Sequence, residues 1–466
     1  MQRREMLTTL GALAVSAAVT ETATAKTTRP GNAGKFAIPA RLTDDAFFLS
    51  ATNPTANVDQ RDLEALSIRV MNMPLVVKTR AAIAQRWKTT VGKDISPEAW
   101  GARFDEMIEG YTFNCVMQAV NSDANYPKVF GHWEGPPHEW FGIKVPDSRA
   151  GGGDNPDNNY SIFPVDGRAH FELHGRRFSP GTADIPFTVQ NYTLATLGSL
   201  DWQDVVVNAD GSFVITLDPE PANGRPNHIQ TRIGATQVLI RDSRADWRQI
   251  PNAYRIRRLD HPAVPPLTPD QMADRAAELM MSEVPMYFWL MRTFANLPLN
   301  VISKPIEMGG IGGLVSQQGS WARLHLADDE AFVVTTGTGG AAFRNLVLQD
   351  SWFRTLDYWT RTSNMCSAQA IPNADGSVTY VISIRDPGIH NWLDSGGLHD
   401  LLVLHRWQGI SRKPTTEGTP WVKGELVKLD DLDKVLPPDT KRVTAEGRAQ
   451  QLAERLAEFK LRHVDH

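Results

Sequence analysis

Residues 208–213 read NADGSF and residues 373–378 read NADGSV, and these two stretches decide the fold. An Asp-Gly pair favours a tight turn between antiparallel strands, because its residues tolerate the positive φ that such a turn requires. Both turns are flanked by β-branched and aromatic residues, which are typical of strands. Each stretch therefore predicts a β-hairpin, and their near identity predicts a strand-rich unit that occurs twice.

The two units also match in the segments that follow the hairpins. Asn227 lies in a polar loop after the first hairpin, and Asn391 lies in a polar loop after the second. Strands ending at Arg241 and Arg406 follow these asparagines after 14 and 15 residues, respectively. Because the order and the spacing agree, we expect each pair to occupy equivalent positions. An Asn side chain can satisfy backbone groups in a tight loop, so we expect a structural role for both asparagines.

The pattern of apolar residues predicts an α+β fold with two related, jelly-roll-like β-sandwich modules and added helices. Pro74 interrupts a helical pattern over residues 59–87, and Thr268 is the predicted cap of a helical stretch over 271–294. Strands are expected to begin near Tyr160. The predicted divisions are a signal peptide (1–25), a mainly helical N-terminal region (26–150), a first sandwich (151–262), a helical connector (263–300), a second sandwich (301–412) and a C-terminal tail with a helix (413–466).

The last predicted helix, over residues 444–463, is amphipathic. Its apolar residues are expected to face the protein, and its charged residues are expected to face solvent. The expected buried side chains are Leu452, Leu456 and Phe459, and the expected exposed ones are Arg448, Glu454, Glu458 and Lys460.

The composition narrows the class of function. Lys and Arg total 48 against 53 Asp and Glu, the net charge is −5, and no basic block is present. Nucleic-acid binding is therefore not expected, because it depends on clustered cationic side chains. With two cysteines in the chain, no thiolate zinc or iron–sulfur site is expected, and the sequence identifies no cofactor. Cys115 and Cys366 are either two separate buried thiols, which we favour, or one disulfide.

The N-terminus has the layout of an export signal. Arg3 and Arg4 precede an apolar stretch over residues 10–19, and the small residues at 23–25 suit cleavage after Ala25. The paired arginines resemble a twin-arginine signal, which predicts a periplasmic location. No other stretch approaches the ~20 apolar residues of a membrane helix, so no membrane span is expected after the signal is removed.

Two further stretches resemble a known family. Residues 153–160 read GDNPDNNY, and residues 386–393 read DPGIHNWL. Together with the hairpins and the Arg-ended strands, they resemble the bacterial domain of unknown function numbered 1214, over residues 154–407. The first copy departs from the family's Asn-Trp pattern, because His228 stands where the second copy has Trp392. The resemblance implies jelly-roll β-sandwiches with added helices, and it implies no established activity.

Paired carboxylates open the first sandwich. Asp154 and Asp157 lie in a loop rich in Asn, which suits cation binding or acid–base catalysis. The alternative, which we favour slightly, is that both carboxylates accept hydrogen bonds from backbone N–H groups and build a turn. Together with His390, they are the candidate catalytic residues. No metal ligands are assigned.

A second set of residues is predicted to bind a ligand. Aromatic side chains near the mouth of a sandwich suit a flat apolar molecule that carries one polar group. Arg241 and Arg406 would orient an anionic group. Because His228 and Trp392 replace one another between the copies, we expect the ligand to lie nearer the second module. The candidate ligand-binding residues are Tyr160, Arg241, Asn391, Trp392 and Arg406.

Other motifs give weaker signals. Residues 132–139 contain two His and two Glu, but their spacing lacks the helical zinc pattern, so a rigid aromatic loop with surface histidines is favoured over a metal site. Residues 337–340 suit a β-turn better than a phosphate loop, and the glycines of 309–313 suit a flexible entry to the second module. No Gly-x-Ser-x-Gly elbow is present.

Two functions remain open. The first is an exported enzyme that acts on a small apolar or aromatic molecule by hydrolysis or elimination, because no redox-cofactor motif is present. The second is a noncatalytic ligand-binding or assembly protein. In both cases the expected partner is a small molecule, and a homo-oligomer is compatible with either.

Overall fold

The computed structural model describes residues 46–92, 95–131, 135–150, 152–260, 264–308, 316–412 and 418–463. The predicted export signal and the glycines of 309–313 lie outside these residues. The predicted α+β fold is confirmed, because the described chain combines several antiparallel sheets in two β-rich modules with helices at three places along the sequence.

Five α-helices pack together beside the sheets. They are α1 (Val58–Met71), α2 (Pro74–Val91), α3 (Ala102–Val120), α4 (Pro269–Ser282) and α5 (Val284–Ala295). Pro74 begins α2, which confirms the predicted break, because the first turn of a helix does not need the N–H group that proline lacks. The Thr268 side chain accepts a hydrogen bond from the Gln271 N–H and caps α4 as predicted. The two helical segments share one aromatic core around Trp87 and Phe288.

Three short strands precede the long strands of the first sandwich. They are β1 (Phe130–Gly131), β2 (His138–Trp140) and β3 (Ile143–Val145). β1 pairs with β4 (Asn158–Pro164), so strands begin earlier than the expected position near Tyr160. That prediction was late because a strand of two or three residues carries no alternating pattern.

The first sandwich consists of two sheets with one apolar core. After β4 its strands are β5 (Phe171–Arg176), β6 (Phe187–Gln190), β7 (Thr196–Leu200), β8 (Ser212–Asp218), β9 (His228–Gln230), β10 (Gln237–Ser243) and β11 (Ala253–Arg258). The sheet orders are β1-β4-β10-β6-β7 and β11-β5-β8-β9. Phe163 and Phe187 from the first sheet pack with Phe171 and Phe213 from the second.

The second sandwich has the same construction. Its strands are β12 (Ile306–Glu307), β13 (Gln318–His325), β14 (Glu330–Thr336), β15 (Ala341–Gln349), β16 (Asn364–Cys366), β17 (Val378–Ser383), β18 (Trp392–Asp394), β19 (Asp400–Ile410) and β20 (Val422–Lys428). The sheet orders are β12-β13-β19-β15-β16 and β18-β17-β14-β20. β20 lies after residue 412, the expected limit of this module. Gly339 and Gly340, with φ of 57° and 68°, form the expected turn between β14 and β15.

The internal repeat is confirmed by the topology. Matching β1 and β4–β11 in chain order to β12–β20 reproduces the strand order of both sheets. Asn227 Nδ2 donates to the Val206 carbonyl at 2.8 Å. Asn391 Nδ2 donates to the Ile371 carbonyl at 2.7 Å. Both asparagines therefore occupy equivalent loops and have the structural role that we expected.

The C-terminal helix α6 (Ala445–Lys460) docks through arginines, which the sequence analysis did not expect. Phe459 is buried as predicted, but Leu452 and Leu456 are only half-buried. The surface beneath the helix offers carbonyl oxygens and tryptophan rings, which suit a planar guanidinium better than an aliphatic side chain. The buried arginines of this helix and of the short 3₁₀ turn that follows it are Arg448, Arg455 and Arg462, so the prediction that Arg448 faces solvent was wrong.

Two expectations from composition can be compared with the fold. Cys115 in α3 and Cys366 in β16 are both buried and both free, which agrees with separate thiols. Among the described residues, no helix combines the length and the apolar character that crossing a membrane requires.

Candidate functional site

Polar side chains meet where the two sandwiches contact each other. The Ser243 hydroxyl at the end of β10 donates to Gln408 Oε1 in β19 at 2.5 Å. The equivalent residues Arg241 and Arg406 each lie two positions earlier, so Ser243 and Gln408 are themselves equivalent. Contact between equivalent positions indicates a pseudo-twofold axis. The buried polar side chains around this contact form what we term the junction: Asp154, Asn155, Asp157, Arg244, Asn345, Thr355 and Asn364.

Asp157 is fully buried and bonds to both modules. Its Oδ1 accepts hydrogen bonds from Trp247 Nε1 at 2.6 Å and from Asn364 Nδ2 at 2.9 Å. Its Oδ2 accepts a hydrogen bond from Asn345 Nδ2 at 2.7 Å. Every partner is an N–H donor, and an ionised carboxylate offers only acceptors, so the two sides match. Because Trp247 belongs to the first module and the asparagines to the second, this carboxylate links the modules.

Asp154 lies three residues earlier and is also buried. Its Oδ1 accepts a hydrogen bond from the Thr355 N–H at 2.9 Å, and its Oδ2 contacts the Thr355 hydroxyl. Burial raises the pKa of this carboxyl to about 7, although the positive charge of Arg149 opposes the rise. A hydroxyl can donate or accept, so the contact serves both protonation states. Asp154 can therefore take up or release a proton near neutral pH.

Arginines surround the junction on the side of Trp247. The guanidinium carbons of Arg455 and Arg462 lie 4.3 Å and 4.6 Å from the centroid of the Trp247 ring. Arg455 also donates to Asn364 Oδ1, and the same Asn364 donates to Asp157. The region thus combines buried cations, an aromatic ring and an ionisable carboxylate, which are groups that orient a small polar ligand.

Three of the predicted ligand-binding residues lie on the central strands of the two modules. Tyr160 in β4 and Arg241 in β10 are cross-strand partners. Arg406 in β19 donates from Nη2 to the Gly153 carbonyl at 2.9 Å, directly before Asp154. The structure therefore brings Arg406 to the carboxylate loop, where it carries positive charge next to a candidate catalytic residue.

The other predicted residues lie elsewhere, around β18 at the edge of a four-stranded sheet. Trp392 begins this strand and donates from Nε1 to the Ser383 carbonyl at 3.2 Å. His390 is half-buried, and burial lowers its pKa below the usual value. Within the described residues, no hydrogen bond joins His390 to Asp154 or Asp157. The three candidate catalytic residues therefore do not form one constellation, and a catalytic role for His390 stays a prediction.

Asn391 also borders a small surface groove in the second module. The groove is shallow and is lined by Asn391 with Thr379, Asp439 and Lys441 among others. The Asn391 side chain already bonds to the Ile371 backbone, because its Oδ1 accepts a hydrogen bond from the Ile371 N–H at 2.9 Å. A ligand in this groove would therefore meet backbone and neighbouring side chains rather than a free amide.

The aromatic loop that holds His138 differs from the expected surface loop. The His138 side chain is 3% exposed, so the prediction of a surface histidine was wrong here. Its Nε2 lies 3.4 Å from Glu64 Oε1, and its Nδ1 lies 2.9 Å from the Pro136 carbonyl. Trp140 Nε1 donates to the other oxygen of Glu64 at 2.5 Å. Glu64 comes from α1, so spacing within the loop could not reveal this contact. His132 and Glu134 lie outside the described residues.

Most of the junction could not be predicted from the sequence. The residues belong to segments far apart in the chain, and each taken alone resembles ordinary polar surface. One signal was present, because arginines recur every seven residues in the last helix and such a spacing places them on one face. The missed junction residues are Arg244, Asn345, Thr355 and Asn364, and the missed residues beside the junction are Trp247, Arg455 and Arg462.

Comparison with known proteins supports the fold. A crystal structure of an uncharacterized protein from Burkholderia cenocepacia is 24% identical, with a TM-score of 0.63, over 78% of this chain and 99% of that chain. The VPA0106 protein from Vibrio parahaemolyticus is 11% identical, with a TM-score of 0.37, over 69% of this chain and 99% of that chain. No family model and no curated protein matches the chain. The family resemblance therefore stays a prediction, and the first of these structures shows similarity of fold alone.

Proposed function

We propose that the protein acts on a small, largely apolar or aromatic molecule at the junction between its two sandwiches. The observation that carries this proposal is Asp154, a buried carboxyl whose pKa is raised by burial to about 7. A buried carboxylate lowers the stability of the folded protein when it is ionised. Buried carboxyls with a raised pKa concentrate at functional sites. The nearby Trp247 ring and the fixed charge of Asp157 give a ligand an aromatic face and polar contacts.

The chemistry available to Asp154 is proton transfer. In a hydrolysis, its carboxylate would accept a proton from the attacking water. In an elimination, it would accept the proton from a carbon next to the leaving group, while a double bond forms and the leaving group departs with its electron pair. Arg406 is bonded to the same loop and supplies positive charge for a developing anion. Asp157 is held by three N–H donors and serves as a fixed structural charge.

A noncatalytic role is the second candidate, and the contacts of the carboxylate loop favour it. Both oxygens of Asp154 already contact Thr355 of the second module. Gln349 Nε2 also donates to the Asp154 carbonyl at 3.1 Å. A loop bonded in this way holds the modules together without any turnover, as a binding or assembly protein requires.

Export forms part of the proposal, on the strength of the twin-arginine-type signal in the sequence. The double replacement Arg3→Lys and Arg4→Lys is expected to retain the protein in the cytoplasm. Cell fractionation followed by immunodetection measures this distribution. Recovery of the double variant from the periplasm in wild-type amounts would contradict this part of the proposal.

Incubation of the protein with extracts of small metabolites, followed by mass spectrometry, tests turnover. We expect the wild type to deplete one class of compound and Asp154→Asn to lose that activity while remaining folded. Asp210→Asn is the matched control, because the same change at an exposed hairpin carboxylate touches no junction residue. A compound that is retained but recovered unchanged would favour the binding protein. If no compound is depleted and none is retained, the proposal is contradicted.

A further inference from the structure

Three arginines, Arg448, Arg455 and Arg462, follow one another at intervals of seven residues along the C-terminal helix and its last turn. The guanidinium groups of the first two have hydrogen-bond or ion-pair partners. Arg448 forms an ion pair with Asp386, with 2.9 Å between Nε and Oδ2. Arg455 donates to the Tyr358 carbonyl and to the side chains of Asn364 and Gln369. Their contacts show that this docking surface offers acceptor oxygens to a guanidinium. The third arginine, Arg462, differs from them.

Arg462 is 4% exposed and forms no ion pair within the part of the chain that the structure describes. Its Nε and Nη2 are buried and meet no hydrogen-bond acceptor among those residues. Its guanidinium lies over the Trp247 ring, and its carbon is 6.0 Å from the centroid of the Tyr358 ring. A buried guanidinium without an acceptor is costly, since the donors have lost water and gained no replacement.

Arg244 approaches the same place from the first module. It is 3% exposed, its Nη1 donates to the Trp247 carbonyl at 3.3 Å, and its Nε meets no acceptor among the described residues. Both guanidiniums contact Trp247, that of Arg244 at its backbone carbonyl and that of Arg462 at its ring. Burial lowers the pKa of Arg244 and the positive charge of Arg462 lowers it further, although Asp242 and Asp157 oppose this fall. Like charges in a buried region repel each other, and an anion between them would stabilise both.

The surroundings connect this pair to the candidate catalytic residue. Burial raises the pKa of Tyr358, so its hydroxyl stays protonated and can donate. The Tyr358 ring lies 6.0 Å from the Trp247 ring, and Tyr358 follows Thr355, the partner of Asp154, by three residues. An anion held by Arg462 would therefore lie near Tyr358, in the segment that also contacts Asp154.

We propose that Arg244 and Arg462 bind the oxyanion group of the small molecule, whose apolar part lies against Trp247 and Tyr358. A guanidinium presents a fork of N–H donors that matches the oxygens of a carboxylate or a phosphate. Aromatic rings on the same side suit an organic rather than an inorganic anion. The inference rests on the function proposed above and adds the class of ligand, a small organic anion.

Thermal unfolding of the full chain with three probes tests the inference. We expect benzoate to raise the unfolding temperature, and we expect neutral benzamide, which has the same ring, to leave it unchanged. Inorganic phosphate separates the two sources of an oxyanion. A shift with phosphate but none with benzoate would support the oxyanion site and reject an organic ligand. No shift with either anion would overturn the inference.

Variants locate the site. Arg462→Gln and Arg244→Gln are each expected to weaken benzoate binding by roughly tenfold to a hundredfold, the effect of losing hydrogen bonds to a charged group. Arg257→Gln is the matched control, because Arg257 forms an exposed ion pair on the first sandwich. Arg462→Lys keeps the charge without the fork and is expected to fold as the wild type does, with intermediate affinity. Wild-type affinity in both Gln variants would refute the assignment.

Native mass spectrometry separates this inference from the broader proposal. A neutral molecule that is retained by the wild type and by Arg462→Gln, but lost in Asp154→Asn, would overturn the anion site while the proposed function holds. Benzoate binding that depends on Arg462, without turnover of any extract compound, would support the anion site while the enzymatic proposal fails.

Discussion

Replacement of Asp157 by asparagine tests whether the junction holds the two modules together. The carboxylate accepts hydrogen bonds from Trp247, Asn345 and Asn364, and all three donors are buried. Asparagine has the same shape, but it presents one acceptor oxygen and one NH₂ group, which is itself a donor. At least one buried N–H group must then face another donor.

The expected cost of Asp157→Asn is about 2.5–6 kcal/mol in the free energy of unfolding. A hydrogen bond to a charged group contributes about 1.5–3 kcal/mol, and a buried donor left without an acceptor costs about 1–3 kcal/mol. The substitution incurs each of these at least once. It also removes the negative charge that faces the buried guanidinium of Arg455.

The matched control is Asp154→Asn, the same change three residues earlier in the same loop. Here the partner is the Thr355 residue, whose hydroxyl can accept as well as donate. An asparagine at this position can accept the Thr355 N–H and donate to its hydroxyl, as the protonated acid does. Its NH₂ group cannot ionise, so we expect stability at pH 7 to be unchanged or higher.

Urea unfolding of the full chain at pH 7, followed by tryptophan fluorescence and far-UV circular dichroism, measures both variants. Since the slope of free energy against denaturant reports exposed surface, a shift of midpoint at constant slope identifies a change in stability. A loss below about 1 kcal/mol for Asp157→Asn, or equal losses for the two variants, would refute the reasoning from donor and acceptor types.

Three further predictions concern pH, the repeat and the thiols. Because the pKa of Asp154 is raised from 3.8 to about 7, its contribution to stability is present below pH 3.8 and is lost as the pH rises through 7. Between pH 5 and pH 8 the wild type should therefore lose on the order of 2 kcal/mol relative to Asp154→Asn in urea unfolding, and parallel profiles would contradict this. Asn391→Ala should cost about 1–3 kcal/mol in thermal unfolding, because Asn391 is buried, and Asn227→Ala should cost about 0.5–1.5 kcal/mol, because its hydrogen bonds are exposed. Asn227→Gly should recover part of that loss, because the φ of Asn227 is 49°, and an equal recovery in Asn391→Gly would argue against this cause. Cys115 and Cys366 should react with iodoacetamide only after unfolding, because both are buried and burial raises the pKa of both thiols. A reductant should leave the unfolding temperature unchanged, and a decrease would indicate a disulfide.

The repeated sandwiches could be predicted because their signals are local. The Asp-Gly turns, the alternating strands and the loops that hold Asn227 and Asn391 each occupy a few consecutive residues. The junction has no such signal, since Asn345 reaches Asp157 across a separation of 188 residues. A sequence pattern records which residues are polar, and it does not record which of them meet.

The grouping of His390 with the carboxylates shows the same limit. These residues were grouped because their side chains can exchange protons. The type of a residue does not indicate which other residues lie close to it in the fold. The strand that follows His390 lies at a sheet edge, whereas Asp157 precedes β4, which lies inside the five-stranded sheet. Equivalent loops of the two copies could be matched by sequence, but contact between the copies depends on which faces pack together.

Divergence between the copies explains why the junction is asymmetric. Two identical modules that meet at a pseudo-twofold axis would place equal side chains opposite each other, and two carboxylates there would repel. Asn345 stands opposite Arg406 on the neighbouring strand, and Pro186 stands opposite the equivalent Arg241. Proline has no side-chain amide, so only the second copy supplies this donor to Asp157. The acceptor comes from one copy and the donor from the other, and for that reason we expect one ligand site in each chain rather than two.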